Sequence, residues 1–502
     1  MSHRSKNAFY NVIASFSYEG VALICGLILP RLILGTFGSA YNGLTSSITQ
    51  FISVIVLMKA GIGGVTRAAL YKPLAERNSI EVSDILMSTE IFMRKIAKIF
   101  IGFIIVFAMI YPIGICDEFN WFFSFSLVLI ISISTFIQYY YGLTYQLLLT
   151  ADQKEYVVYI AQIVSTAVNT IISAVLIYLG YGIHIVQIGS TVAFALNPLI
   201  VNRYAYKFYH IDRSVKPNMQ RLAQRWNAFG HEVANFINSN TDIMVLTIFQ
   251  GVSIVSVYTV YAYVTAAVRK TVTNFVSGFG AAFGNMYARK EYELMRENLG
   301  VFVLIVFSIT SVIYSVTLVM ITPFVLLYTY GIFDISYNRP VFGVIITLAG
   351  AFSCFRIPYY TVTAAVGHYK QTRNGAFVEA FINASLSIAF VIKWGIVGVA
   401  IGSLVAALFR STQYALYLGK NILKVSFVQY VFHVIVAISI MAVVYYWGFI
   451  IMPEINNVFQ WLQKMLIFTI ISCVLTGITD VLFWRKDVIV LLKKMRGIFK
   501  LR

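Results

Sequence analysis

Residues 182–193 read GIHIVQIGSTVA, and residues 395–406, which lie 213 positions later, read GIVGVAIGSLVA. Both stretches share a GI start, an IGS triplet and a final VA, and both lie in long apolar segments. Two more pairs follow in nearly the same register: GIGG at 61–64 with GFGA at 278–281, and Asn169/Ser173 with Asn383/Ser387. Chance similarity between apolar helices could explain one pair, but three pairs in order indicate an internal duplication.

The composition is that of a membrane protein. Of 502 residues, 59% are hydrophobic and only 12% are charged, and the mean hydropathy is +0.79. A soluble domain carries about 25% charged residues, so the apolar segments must face lipid. The four cysteines form no CxxC pair and have no histidine at metal-ligand spacing, so we interpret them as small apolar fillers. No metal or cofactor is predicted.

The apolar segments are long enough to cross a bilayer as helices, which takes about 20 residues each. Unbroken runs of this length exclude a membrane β-barrel, whose strands alternate and are about 10 residues long. The sequence therefore predicts an all-α polytopic protein of about fourteen transmembrane helices. We place these helices at residues 11–33, 44–69, 91–115, 121–149, 156–179, 183–206, 226–249, 252–284, 300–328, 342–366, 374–393, 395–419, 427–451 and 459–484.

The basic residues predict the orientation. Of the 38 Lys and Arg residues, 29 fall on one side of this topology and three on the other, so the positive-inside rule places both termini in the cytoplasm. The net charge of +18 is thus a loop property, and it gives no reason to expect nucleic-acid binding. The basic end of the chain, at 485–502, should lie along anionic headgroups.

The repeat offset equals the length of one six-helix half, which predicts two pseudo-symmetric six-helix lobes and two extra helices. An even helix number per half makes the repeats parallel, as in transporters that rock one half against the other. The predicted divisions are an N-terminal lobe at 1–206, an inter-lobe loop at 207–225, a C-terminal lobe at 226–420, two additional helices at 421–484, and a basic tail at 485–502.

Several charges lie inside predicted spans, where each costs about 2.5 kcal/mol or more. Cations outnumber acids near the midplane, which suits an anionic cargo because Arg and Lys bind phosphate oxygens well. For Arg269 and Arg356 the alternative is an internal ion pair with Glu232 or Glu379. The candidate cargo-binding cations from this argument are Lys59, Arg269, Lys270 and Arg356, with Arg410 a further intramembrane cation.

The seventh predicted helix carries a polar stripe. Glu232, Asn235, Ser239 and Asp242 are spaced by three, four and three residues, so they share one helical face. The stripe either lines an aqueous cavity or forms a polar seam between helices. Arg67 is a further candidate for the cavity lining, although a position near a span end also suits snorkelling. The candidate ion-coupling acids are Glu19, Glu232 and Asp242.

The beginning of the chain resembles the bacterial polysaccharide-unit (Wzx-like, O-antigen-type) flippases. The resemblance rests on Pro30-Arg31, Leu34-Gly35, Phe37-Gly38 and the Tyr41-to-Leu44 turn, followed by GIGGVTR at 61–67. These flippases belong to the multidrug/oligosaccharidyl-lipid/polysaccharide exporter (MOP) superfamily, whose layout of two six-helix lobes plus two helices matches the whole chain.

The resemblance implies a V-shaped transporter of the bacterial inner membrane. Its cargo would be a polyprenyl-diphosphate-linked oligosaccharide, moved to the outer leaflet by alternating access through a cationic cavity. Related flippases use basic cavity residues on helices 1, 2 and 8, and the nearest counterparts here are Arg31, Lys59 and Arg269. Polysaccharide polymerases and glycosyltransferases would be the partner proteins.

Three other functions stay open from the sequence. A multidrug and toxin extrusion (MATE) antiporter shares the layout, but its cargo is often cationic, which fits an excess of Arg and Lys poorly. A polytopic polysaccharide polymerase would need catalytic groups in a large outer loop, and the outer loops are short. A lipid scramblase without a coupling ion is the third. The sequence has no P-loop, HExxH or GxSxG motif, so no enzyme activity is predicted.

Overall fold

The computed structural model describes residues 3–58, 62–115, 118–215, 217–218, 226–276, 278–451, 455 and 457–500. These residues are helical almost throughout and form no strand. The predicted fold class, an all-α polytopic membrane protein, is therefore confirmed. The chain forms two compact units: unit 1 comprises Met1–Phe236 and Gln250–Ser256, and unit 2 comprises Ile237–Phe249 and Val257–Arg502.

Helices α1 to α9 belong to unit 1, and α10 and α11 each begin or end within it. A 3₁₀ turn at Tyr111–Ile115 extends α5, and a π-helical turn at Gln138–Gly142 joins α6 to α7. The helices are α1 (His3–Phe37), α2 (Ser39–Ile52), α3 (Ile55–Met58), α4 (Ile62–Ala75), α5 (Ser79–Ile110), α6 (Trp121–Ile137), α7 (Leu143–Ala151), α8 (Glu155–Tyr178), α9 (Ile183–Phe208), α10 (Trp226–Gln250) and α11 (Val252–Val276).

The start of α11 is held within unit 1 by a carboxylate. Glu118 accepts hydrogen bonds from the Val252 backbone N–H and the Ser253 hydroxyl, both at 2.8 Å. These bonds satisfy donors that the first turn of a helix leaves unpaired. Gly43 allows α2 to approach here, because a Cβ at this position would lie 1.7 Å from the Val252 carbonyl oxygen.

The remaining helices belong to unit 2. Helix α13 is its centre, since 67% of its most apolar 18-residue window is buried, against 11% for α1 in unit 1. The helices are α12 (Phe279–Ala288), α13 (Tyr292–Tyr328), α14 (Pro340–Phe355), α15 (Ile357–Ala365), α16 (Tyr369–Asn421), α17 (Phe427–Ile451), α18 (Val458–Phe483) and α19 (Arg485–Lys500).

Eleven helices among the described residues are long and apolar enough to cross a membrane. The fourteen predicted spans correspond to these eleven helices with three differences. Helix α16 contains the two predicted spans 374–393 and 395–419, which meet at Gly395 with φ 53° and ψ −131°. The predicted span 44–69 includes residues 59–61, which lie outside the described residues, and the predicted seventh span corresponds to α10, whose polar stripe lowers its hydropathy.

The sequence repeat corresponds to an antiparallel helix hairpin in each unit. In unit 1, α8 and α9 pack together, and a Cβ on Gly189 would lie 2.7 Å from Leu176 Cδ1. In unit 2, the two halves of α16 fold back at Gly395, and a Cβ on Gly402, the counterpart of Gly189, would lie 2.5 Å from Ser387 Oγ. The shared glycines therefore permit close helix contact.

Candidate functional site

Polar side chains inside unit 2 form a connected set of hydrogen bonds, which we call the unit 2 polar network. Its members come from the second half of α10, the start of α11, the α14–α15 junction and both halves of α16. Such a set is uncommon among membrane helices, because polar groups there are costly unless they pair. The members are Asn238, Asp242, Tyr258, Arg356, Glu379, Asn383, Ser403 and Arg410.

Asp242 lies at one end of the network and is only 7% exposed. Its Oδ2 accepts hydrogen bonds from the Tyr258 hydroxyl at 2.8 Å and the Ser403 hydroxyl at 2.6 Å. Among the described residues, no donor reaches its buried Oδ1 atom. A buried carboxylate whose donors are neutral has no cation to compensate its charge, and the predicted role of Asp242 in ion coupling stays a prediction.

Asn383 joins the Asp242 end to the rest of the network. Its Oδ1 atom is 3.2 Å from the hydroxyl oxygens of Ser387 and Ser403, and its Nδ2 donates to the Asn238 carbonyl oxygen at 3.3 Å. A serine hydroxyl carries one proton. Ser403 can therefore donate fully to Asp242 or to Asn383, but not to both.

Glu379 lies at the other end, 6% exposed and between two arginines. Its Oε1 atom is 2.9 Å from Arg356 NH1 and its Oε2 atom is 3.3 Å from Arg410 Nε, while Asn238 Nδ2 donates to Oε1 at 3.2 Å. Two cations share one carboxylate, so this triad keeps a net positive charge when all three groups are ionised.

The two arginines of the triad differ in accessibility. Arg410 is buried and further fixed by the Thr372 carbonyl oxygen at 3.1 Å and by the Tyr414 hydroxyl and ring. The Arg356 side chain keeps 28% exposure. Arg410 is thus built into the packing, whereas Arg356 has a face from which it can contact a ligand.

Two candidate site residues from the sequence, Asp242 and Arg356, belong to the network. Arg410, named in the sequence as an intramembrane cation, and Glu379, named as an ion-pair partner, belong to it as well. For Arg356 the internal ion pair that the sequence left open is present, with Glu379 as its partner. Ser239, from the same stripe as Asp242, is exposed. The side chains of Glu232 and Asn235 and the whole of Lys59 lie outside the described residues.

Arg269 and Lys270 are not members of the network and are exposed on α11. Arg269 lies within electrostatic range of Tyr258, Tyr314 and Cys354 in unit 2. An exposed arginine inside an apolar span is costly against hydrocarbon. A water-filled path beside this part of α11 therefore stays a prediction.

The unit 1 candidates lie on α1 and α4. Glu19 and Arg31 are half-buried on α1, and Arg67 donates from Nε to the Gly63 carbonyl oxygen at 3.2 Å. The unit 1 hairpin repeats part of the network, since Ser173 Oγ is 3.2 Å from Ser190 Oγ and 3.4 Å from Asn169 Oδ1.

The sequence reasoning did not assign Glu379, Asn383, Ser403, Arg410, Asn238 or Tyr258 to the site. The repeat offered a signal for two of them, because Asn383 and Ser403 are its polar positions. Glu379 and Arg410 carried the signal of intramembrane charge, and Tyr258 that of a cluster of tyrosines. Asn238 gave no signal, since neutral polar residues are common in membrane helices.

Comparison with known proteins supports the fold. No family model and no curated protein matches the chain. Among solved structures, a lipid II flippase MurJ in an inward closed conformation matches with a TM-score of 0.72 and 17% identity, covering 95% of this chain and 99% of that one. An inward-facing multidrug resistance MATE transporter of the MOP superfamily matches with a TM-score of 0.62 and 14% identity, covering 81% and 98%.

A third structure is a MOP superfamily transporter from Pyrococcus furiosus, whose binding pocket is described as having reverse polarity. It matches with a TM-score of 0.60 and 13% identity, covering 84% of this chain and 97% of that one. At these identities the similarity shows the fold. The chain is thus a multi-pass membrane protein with the fold of MOP superfamily transporters.

Proposed function

We propose that this protein is a transporter that flips a polyprenyl-diphosphate-linked oligosaccharide from the cytoplasmic to the outer leaflet of the bacterial inner membrane. The observation that carries the proposal is the exposure of Arg269 and Lys270 within the apolar helix α11. A water-filled path that is lined by cations inside the membrane suits the passage of an anionic headgroup. The fold shared with a lipid II flippase supports the same cargo class.

The proposed cargo contacts are to the diphosphate. An arginine can bind phosphate oxygens through two parallel N–H donors, which a lysine cannot do. Arg269 is the principal contact because it is exposed, and Arg356 is secondary because Glu379 already occupies one of its donors. Arg31, Lys59 and Lys270 complete the proposed set, with Asn235, Ser239 and Arg67 lining the path.

The proposed coupling site is Asp242, with Glu19 and Glu232 as the other acids available. A proton on Asp242 would let this acid donate to Ser403, which would free the Ser403 hydroxyl to donate to Asn383. Protonation or cation binding would therefore change hydrogen bonding across both halves of α16. A change of this kind can bias a two-state carrier.

Genetic complementation tests the proposal. In a host that lacks its own polysaccharide flippase, the wild-type chain should restore surface glycan, provided that the glycan unit is accepted. Arg269→Ala and Arg269→Lys should both reduce display at normal expression, because a lysine does not replace the bidentate contact. Arg289→Ala is the matched control, since Arg289 is exposed and lies beyond the span of α11. Normal export by both Arg269→Ala and Arg356→Ala would refute the cationic path.

A MATE-type antiporter is the second candidate, and the match to a multidrug resistance MATE transporter favours it specifically. The two functions differ in cargo charge. An antiporter predicts that cells expressing the chain exclude cationic dyes and that Arg269→Ala does not weaken this exclusion. The flippase predicts no dye exclusion above that of the empty host. Surface glycan and dye accumulation can be measured on the same cultures.

A further inference from the structure

A cavity of about 540 Å³ lies in unit 2, and no member of the polar network is among its lining residues. It opens where the beginning of α13, the end of α16, the beginning of α17 and the α18–α19 junction meet. Its volume is in the range of small-molecule sites, which is about 300–1,000 Å³. The lining side chains that matter here are Arg296, Lys424, Tyr430, His433, Trp484 and Asp487.

The inner wall of the cavity is aromatic. The Trp484 ring stacks on His433 with centroids 4.1 Å apart and planes 20° apart. Tyr430 is buried and donates its hydroxyl to Ser411 Oγ at 2.9 Å. Aromatic rings with a polar edge are typical of the boundary between membrane and water, so the wall belongs at headgroup depth.

Two cations lie on the cavity lining. Arg296 is oriented by donating from Nε to the Leu423 carbonyl oxygen and from NH1 to Glu293, both at 2.7 Å. Lys424 is exposed and has φ 51°, a left-handed conformation that lysine adopts uncommonly. The backbone there leads directly into the N-terminus of α17, whose dipole also favours an anion.

One acid faces the same space. Asp487 lies beside Gly300, where a Cβ would come within 2.7 Å of its Oδ1 atom, and burial raises the pKa of its carboxyl. The neighbouring helix is basic: Lys494 of α19 donates to Asn298 at 2.8 Å and lies 3.4 Å from Glu297. Asp487 therefore offsets part of the positive charge of the lining, and Glu293, 2.7 Å from Arg296 NH1, offsets more of it, so Lys424 is the principal cation of the cavity.

Lipid-facing side chains adjoin the cavity. Phe432 and Phe483 pack edge to face with centroids 5.2 Å apart, and both line the cavity while remaining exposed. The loops on this side are the basic ones, which places the opening at the cytoplasmic headgroups under the positive-inside rule. Arg296 and Lys424 therefore lie at the level of the lipid headgroups, beside an apolar surface that acyl chains can contact.

We propose that this cavity binds the phosphate headgroup of an anionic phospholipid of the cytoplasmic leaflet, with Lys424 and Arg296 on the phosphate and the acyl chains against Phe432 and Phe483. No residue of the site belongs to the unit 2 polar network, so the proposal is independent of the cargo. The bound lipid would hold α19 and the end of α16 together at the membrane surface.

Native mass spectrometry of the full-length protein in detergent, titrated with phosphatidylglycerol or phosphatidylcholine, tests the site. Phosphatidylglycerol should bind more tightly than phosphatidylcholine. Lys424→Asn should lower phosphatidylglycerol affinity about fivefold, as expected for one basic residue at an anionic surface, and asparagine tolerates the left-handed backbone. Asp487→Asn should raise the affinity. Arg289→Gln, which removes an exposed cation outside the cavity, should leave it unchanged.

Three results would overturn the proposal. One is equal phosphatidylglycerol binding by the wild type, Lys424→Asn and Arg296→Gln. Another is complete displacement of the lipid by millimolar inorganic phosphate, which would assign the cavity to a free anion. The third is displacement by an equimolar polyprenyl diphosphate, which would make the cavity a cargo site.

Discussion

Among the single residues, Asp242 is the acid whose charge state should matter most for the proposed coupling. It is buried, its donors are hydroxyls, and one of those donors is shared with Asn383. Arg356 and Glu379 compensate each other, whereas Asp242 has no such partner in the network. This difference is the reason that we propose Asp242, and not Glu379, as the coupling acid.

Asp242→Asn should therefore uncouple transport while preserving the fold. An asparagine oxygen can still accept from Tyr258 and Ser403, but it cannot take up a proton. We expect the variant to show no response to an imposed proton or Na⁺ gradient and a thermal midpoint close to that of the wild type. Asp334→Asn, on the loop before α14, is the control. A gradient response that survives in Asp242→Asn would move the coupling role to Glu19 or Glu232.

Glu379→Gln should destabilise the protein, since it leaves buried Arg410 without a charge partner. Breaking a buried pair by removing one member costs about 3–5 kcal/mol. The thermal midpoint should fall clearly, and the double variant Glu379→Gln with Arg410→Gln should recover part of the loss. Glu76→Gln, which breaks an exposed pair with Lys72, should change it little. A double variant that is no more stable than Glu379→Gln alone would show that the loss does not come from an uncompensated charge on Arg410.

Both helix hairpins contain a glycine at the contact between their two helices. The glycine of unit 2 lies close to backbone atoms of the facing helix, whereas that of unit 1 lies close to side chains only. A Cβ on Gly402 would lie 2.5 Å from Ser387 Oγ and 2.8 Å from its backbone nitrogen. A Cβ on Gly189 would meet only side-chain ends, of which Leu176 Cδ1 at 2.7 Å is the nearest. Backbone moves less easily than the end of a leucine, so the same substitution should have different effects.

Gly402→Ala should accordingly lower stability by about 1–3 kcal/mol, the usual cost of overpacking, and should disturb the neighbouring Ser403. Gly189→Ala should cost less. Gly64→Ala is the control, because no atom lies within 4 Å of its Cβ position and alanine favours the helix. Thermal unfolding in detergent measures all three. Equal losses of stability for Gly402→Ala and Gly64→Ala would show that Gly402 does not stabilise the protein through close contact between the two halves of α16.

The hairpins were predictable from the sequence, whereas half of the network was not. Close helix packing requires glycine and serine at fixed intervals, so the GI and IGS positions repeat and Gly395 separates two predicted spans. Asp242 and Arg356 were predictable because intramembrane charge is rare. The pair of Arg356 with Glu379 was one of the alternatives from the sequence. That Arg410 shares the same carboxylate depends on how α15 and the two halves of α16 pack, and residue spacing along a single helix carries no information on that.

In the molecule as a whole, the two units share the duplicated helices but not all of the polar residues on them. Both units contain the Asn and Ser positions of the hairpin, but the residue 213 positions before Asp242 is Leu29. The acid with hydroxyl donors is therefore a feature of unit 2. We expect coupling to depend on unit 2, and Asn383→Ala to impair gradient-driven transport more than Asn169→Ala.

Asn169→Ala is a matched control for that comparison, because both asparagines are buried and both accept a hydrogen bond from the serine four residues later. Initial rates at fixed gradient in reconstituted vesicles, normalised to the amount of folded protein, give the comparison. Equal impairment by the two substitutions would indicate that coupling is shared between the units.

The proposed transport can be measured as flipping of a fluorescent polyprenyl-diphosphate glycan in vesicles that contain only the purified protein. The glycan should become accessible on the opposite leaflet at a rate that rises with a proton or Na⁺ gradient, and Arg269→Ala should slow this movement. Protein-free vesicles and vesicles with Arg289→Ala set the two reference rates. Glycan movement no faster than in protein-free vesicles, in preparations that take up a cationic dye against its gradient, would contradict the account.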